Sequence, residues 1–142
     1  MSTKKLHTRK NKTMKNKLTK NVKKQIICKF LEVLNTVKLY HWSTSSYSQH
    51  KATDDLYSDL NKYVDEFVEI MLGKSKERIH HVDVHSYRIT NKAQFIKYML
   101  QFKKYLIELT DVFHPALDSN LINIRDELLG ALDKLVYLFE LN

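Results

Sequence analysis

Residues 50–73 read HKATDDLYSDLNKYVDEFVEIMLG, and the spacing inside this stretch decides the fold. Leu56, Leu60, Tyr63, Val64, Phe67 and Met71 recur three or four residues apart, the period of an α-helix that buries one stripe. On a wheel of ~100° per residue with His50 at zero, these six occupy ~220° to ~320°. Asp55, Asp59, Lys62 and Glu66 fall at ~120° to ~180°, a solvated face. His50, Asp54, Asp65 and Glu69 fall at ~0°, ~40°, ~60° and ~100° and make a third stripe. Val68 and Leu72 lie within that stripe, as expected of a side that something covers. Gly73 is placed to cap the helix C-terminus.

The same period extends in both directions. Val22, Ile26, Phe30, Val33, Val37 and Tyr40 predict a first helix over about 18–43. The hydroxyl-rich run Ser43–Ser48 interrupts it, since Ser and Thr side chains compete for backbone groups. The second helix covers about 49–73, and residues 74–90 form a polar, His-rich connection. Thr90 or Asn91 can cap a third helix over about 91–114, bearing Phe95, Ile96, Met99, Leu100, Leu106, Leu109 and Phe113 and ended by Pro115. Asp118 or Ser119 opens a fourth over about 119–140, with Leu121, Ile124, Leu128, Leu132, Leu135 and Leu138 or Phe139 inward. Gly130 either marks a close helix approach or is simply tolerated. Two glycines and one proline in 142 residues argue against a many-stranded β-protein. The expectation is a single all-α domain, a four-helix bundle with one long crossover connection.

The net charge of +8 is a sum of unlike parts. Residues 1–24 hold ten basic and no acidic residues, and the remainder, with 14 basic and 16 acidic, is net −2. Few apolar residues occur over 1–17, so the composition predicts a disordered basic N-terminal arm over 1–19 ahead of a bundle over 20–142. Lys4, Lys5, Arg9, Lys10, Lys12, Lys15, Lys17 and Lys20 suit non-specific DNA binding, since each phosphate neutralised releases a counterion. No aromatic residue interleaves with them, so base-specific readout is not suggested. A solubilising tail and a nuclear address are the competing readings. No apolar region of a secretory signal follows the lysines, and no run approaches a membrane span, so no membrane partner is expected. Cys28, the one cysteine, fits a reducing, intracellular setting and reads as a small core residue.

Imidazole and carboxylates on one stripe suit iron, manganese or zinc, which accept mixed nitrogen and oxygen ligands. Asp54 and Asp65 are ~16 Å apart along the helix axis, too far to share one ion. His50 with Asp54, and Asp65 with Glu69, are each i,i+4 couples. Two copies of the helix, antiparallel about a two-fold axis, would set one subunit's His50 and Asp54 against the other's Asp65 and Glu69. A dimer is then the minimal active unit. Ordinary charge patterning is the competing reading.

Leu39-Tyr40-His41-Trp42, followed by His50-xxx-Asp54 and Asp65-xxx-Glu69, resembles the Dps mini-ferritins. The spacing from His50 to Glu69 matches that family's ferroxidase motif residue for residue, while the segment between His41 and His50 is a few residues shorter. The resemblance implies a ferritin-like four-helix bundle, a short, divergent member of the kind found in phages and large viruses. It further implies oxidation of iron(II) at a di-iron site between subunits, within a homo-oligomer that is dodecameric in the family. By that match His41, His50 and Asp54 would be catalytic metal ligands from one subunit, Asp65 and Glu69 ligands from its partner, with Trp42 beside the site. The alternative is a non-enzymatic nucleoid- or virion-associated protein that packs DNA on the same fold.

His80, His81, Asp83 and His85 form a second metal-like cluster, in which His81, Asp83 and His85 share a face if the segment is extended. Exposed polar loop residues are the simpler reading. His114, beside Pro115 at a predicted helix C-terminus, suits a cation on the helix dipole. No hydrolase constellation or Gly-rich phosphate loop is present.

Overall fold

A computed structural model describes residues 17–141. Four helices follow one another: α1 (Lys20–Ser43), α2 (Tyr47–Ser75), α3 (Lys92–Glu108) and α4 (Ser119–Glu140), with a 3₁₀ turn at Leu109–Val112 and no strand among the described residues. Each of the first three begins at a polar cap. Thr19 Oγ1 accepts from Val22 N–H, Ser46 Oγ from Gln49 N–H and Asn91 Oδ1 from Gln94 N–H. Asp118 instead accepts the His114 N–H at 2.8 Å and draws the α3–α4 turn closed.

The predicted stripes supply the core. Phe30 of α1 lies edge-on to Phe67 of α2 (5.3 Å between centroids) and to Phe102 of α3 (6.1 Å), while Tyr40 stacks on Phe95 at 4.3 Å. Leu121, Leu128, Leu132 and Leu135 of α4 close the remaining side. Burying each such side chain contributes roughly 1.5–3 kcal/mol, which outweighs the modest helix propensity of the β-branched and aromatic residues among them.

The connection between α2 and α3 has no regular secondary structure and is pinned along α1. Lys23 Nζ meets Glu77 Oε2 at 3.2 Å, the Cys28 thiol donates to the Asp83 carbonyl at 2.9 Å, and the Tyr87 N–H donates to Thr36 Oγ1 at 3.3 Å. The contacts advance along α1 as they advance along the connection. It therefore returns the chain to the end of the bundle where α2 began, and Ser46, Gln49 and Lys92 line a shared cavity there.

Several expectations need correction. Gly73 is not the cap of α2; the helix runs to Ser75 and Lys76 adopts the left-handed conformation (φ 55°). Cys28 sits half-buried under the connection rather than in the core, and Leu100 is exposed while Tyr98 and Phe102 turn inward. The α-helical part of α3 stops at Glu108, where buried Arg125 Nη1 donates to the Leu106 carbonyl (2.9 Å) and to Thr110 Oγ1 (2.8 Å). That arginine satisfies a helix-end carbonyl and lets the last turn tighten to 3₁₀. His114 carries no cation for the dipole, because its Nδ1 accepts the Ala116 and Leu117 N–H groups and is unprotonated. Apart from its chain neighbours and its own helix backbone, nothing lies within 4 Å of where a Cβ on Gly130 would sit, so that glycine is tolerated rather than required. No helix among the described residues is long and apolar enough to cross a membrane.

Candidate metal centre

The last turn of α1 and the first turns of α2 face each other across residues 44–46, and this junction holds both histidines of the motif. His41 Nδ1 lies 2.9 Å from the His50 carbonyl, and His50 Nδ1 lies 2.9 Å from the His41 carbonyl. A carbonyl oxygen only accepts, so each Nδ1 carries the proton, and in the neutral rings each Nε2 presents its lone pair. Such a hydrogen bond behind the ring is the arrangement that fixes the tautomer of a metal-ligating histidine.

Buried Thr53 completes the support. Its hydroxyl donates to the Gln49 carbonyl (2.8 Å), and its oxygen lies 3.0 Å from His41 Nδ1. A second clamp holds the turn: the Tyr40 hydroxyl donates to Gln49 Oε1 at 2.6 Å, and Thr44 Oγ1 donates to the same atom at 3.2 Å. Burial raises the Tyr40 pKa, which keeps that phenol a donor. The sequence reading passed over Thr53, although its place three residues after His50 puts it on the inward side of α2, and it missed the Tyr40–Gln49 contact altogether.

The two imidazoles stack with centroids 3.9 Å apart and planes 18° apart. A ligating nitrogen places its metal near the ring plane at ~2.0–2.1 Å. Near-parallel planes at this separation do not meet at one such point. The two rings therefore do not chelate a single ion. Asp54 Oδ1 stands 4.0 Å from His41 Nε2, within the ~4 Å that two ligands on opposite sides of one ion can span.

His41, buried, thus lies against His50 and beside Asp54, so the shortened turn does not carry it away from the junction. Asp65 and Glu69 are exposed further along α2, and neither makes an ion pair with another described residue. Among the described residues no three His, Cys, Asp or Glu side chains form a group able to hold a metal ion. One chain by itself therefore brings the histidines and Asp54 together only pairwise. Trp42 lies outside, 67% exposed, on a groove of about 470 Å³ that Leu39, Tyr57 and Val84 also line. Lys38 Nζ sits 5.6 Å from the Trp42 ring and 4.5 Å from the Tyr57 ring.

His81 Nε2 and Asp83 Oδ1 are 3.1 Å apart, both strongly exposed, and His80 and His85 are also exposed. The segment has no regular secondary structure, and it too assembles no metal-holding group among the described residues. Of the basic residues assigned to DNA, Lys17, just ahead of α1, and Lys20, its first residue, are exposed, whereas Lys4, Lys5, Arg9, Lys10, Lys12 and Lys15 lie outside the described residues.

Comparison with known proteins returns a family of unknown function (DUF5856), whose model matches residues 41–139. The match begins at His41 and takes in the whole histidine–carboxylate stripe, and the chain belongs to that family. No curated protein and no solved structure matches the chain.

Proposed function

For this member of the DUF5856 family, we propose an iron(II)-oxidising role of the Dps mini-ferritin kind, on a ferritin-like bundle, with non-specific DNA binding through the basic arm. The observation that carries it is the reciprocal hydrogen bonding of His41 and His50, which commits both Nδ1 atoms and leaves Nε2 of each ring for a ligand role, that of His41 beside Asp54.

Iron(II) is the substrate. His41 and His50 would each bind one ion, Asp54 would share the first subunit's half of the site, and the partner subunit would supply Asp65 and Glu69. Glu69 is the bridging carboxylate in this reading. Two iron(II) ions give up one electron each to one peroxide, or in steps to dioxygen, and with peroxide two protons are taken up and two waters released. Hard carboxylate oxygens favour the higher charge of the iron(III) product. Manganese or zinc fits the same donor set, and the dimer is the smallest assembly that completes it.

The open ligand set of the single chain favours a second reading, a DNA-packing protein that kept the bundle without the chemistry. One experiment separates them: anaerobic titration of the purified protein with iron(II), followed by native mass and metal content. Saturation near two ions per site in a dimer or larger assembly supports oxidation; absence of saturable binding overturns it.

A further inference from the structure

The slightly acidic net charge of the body hides a basic end. The buried Lys23 ammonium pairs with Glu77, which ties the first turn of α1 to the end of α2. Lys20 and Lys24 flank Lys23 in the sequence, and Lys76 and Arg78 flank Glu77. All four are exposed, and none forms an ion pair with another described residue. Lys17 precedes them and is exposed as well. Two carboxylates of this end are engaged, Glu77 by Lys23 and Asp118 by Lys74 at 3.8 Å, while Asp111 of the 3₁₀ turn is exposed. The result is a cluster of cations gathered around one internal ion pair.

Lys76 and Arg78, at and just past the C-terminus of α2, stand where the helix dipole favours cations, but local stability does not explain the basic start of α1. The first turn of α1 has no acidic residue, so Lys20 stands at the positive end of the helix dipole, where cations are disfavoured. Residues that oppose a local rule without a compensating contact are candidates for function. In the sequence, the basic residues of 1–16 immediately precede this end.

We propose that Lys24, Lys76 and Arg78, together with Lys17 and Lys20, form a phosphate-binding surface on the folded body that seats a nucleic-acid backbone. The part of this that concerns the arm rests on the function proposed above; the surface itself does not. A long polyanion fits better than a discrete anion, because the cations are spread over two helix ends and continue into sixteen further residues that can span up to ~55 Å. Duplex DNA, with one charge per ~1.7 Å, matches such a track and releases counterions along it.

The test uses the full chain and a random-sequence duplex, with affinity measured by fluorescence anisotropy across a salt series. Replacing Lys24, Lys76 and Arg78 by Gln should flatten the log–log salt slope by about 2.7, since each phosphate contact contributes about 0.9. Replacing Lys4, Lys5, Arg9, Lys10, Lys12 and Lys15 by Gln tests the arm separately, so failure of one leaves the other readable. A triple variant with unchanged slope and affinity overturns the proposal. So does one that keeps duplex binding but loses binding to vesicles of phosphatidylserine in phosphatidylcholine, which would assign the surface to a membrane. Should the triple variant melt at a lower temperature, Arg78→Glu alone must flatten the slope by at least about 0.9, and an unchanged slope there is equally fatal.

Discussion

The ring of His41 is held by the backbone of His50, and the ring of His50 by the backbone of His41, each through one 2.9 Å hydrogen bond from Nδ1 to a carbonyl. The contact joins the C-terminal turn of α1, where carbonyls lack helical partners, to the first turn of α2. It fastens the turn and sets both tautomers at once.

Thr53 sits behind this pair and touches no substrate position, so it is a positioning residue. Thr53→Val should cost about 1–3 kcal/mol in stability through the lost buried hydroxyl contacts, and should weaken metal affinity by roughly 10–100-fold. Asp54→Asn, at an exposed position, should change stability by no more than about 0.5 kcal/mol while abolishing fast iron oxidation. Thermal melts alongside stopped-flow oxidation check both, and equal losses of activity and stability for Asp54→Asn would contradict the assignment.

Sharing of the site between subunits can be read by complementation. One variant carries His50→Gln with Asp54→Asn, the other Asp65→Asn with Glu69→Gln, and each should be inactive alone. After unfolding and refolding an equal mixture, half the dimers are mixed and each keeps one intact site of two, so about a quarter of the wild-type rate should return. A mixture as inactive as its components would place all the ligands in one chain.

Gly130 is a helical glycine with open space around it, on an exposed part of α4. Gly130→Ala should stabilise the bundle by about 1 kcal/mol, through helix propensity and a less flexible unfolded chain. A chemical-denaturation midpoint that falls would show a helix approach that the present packing lacks.

Tyr105 has its pKa pushed up to about 12 by burial, with the Cys28 thiol beside it adding to the effect. Because the folded state keeps this phenol protonated while the unfolded chain ionises near 10, the unfolded state binds fewer protons between these values. The stability from this group is whole below pH 10 and is lost as pH rises toward 12. Denaturation midpoints against pH should therefore decline across that window, and Tyr105→Phe should decline less steeply.

All four helices, the core stripes and the position of the long connection were legible because burial on one side of a helix imposes a 3.6-residue period that composition cannot hide. Their ends were less legible. The end of α2 at Lys76 rather than Gly73, and the 3₁₀ turn that follows α3, depend on groups distant in sequence, Arg125 above all. The stripe of His50, Asp54, Asp65 and Glu69 was equally readable, since its four residues share one helix. That Thr53 backs it was not, because the contact needs α1 beside α2.

Charge shows the same division. From sequence alone came a basic arm, an acidic-leaning body, four amphipathic segments and a histidine–carboxylate spacing. Only the tertiary structure brought the start of α1, which carries Lys24, to the end of α2, which Arg78 follows, by way of the Lys23–Glu77 pair, and only it stacked His41 on His50 with both Nδ1 protons committed. Period and spacing are local and so are written in the chain; which tautomer a ring holds, and which cations gather at one end, follow from packing between helices that the sequence separates.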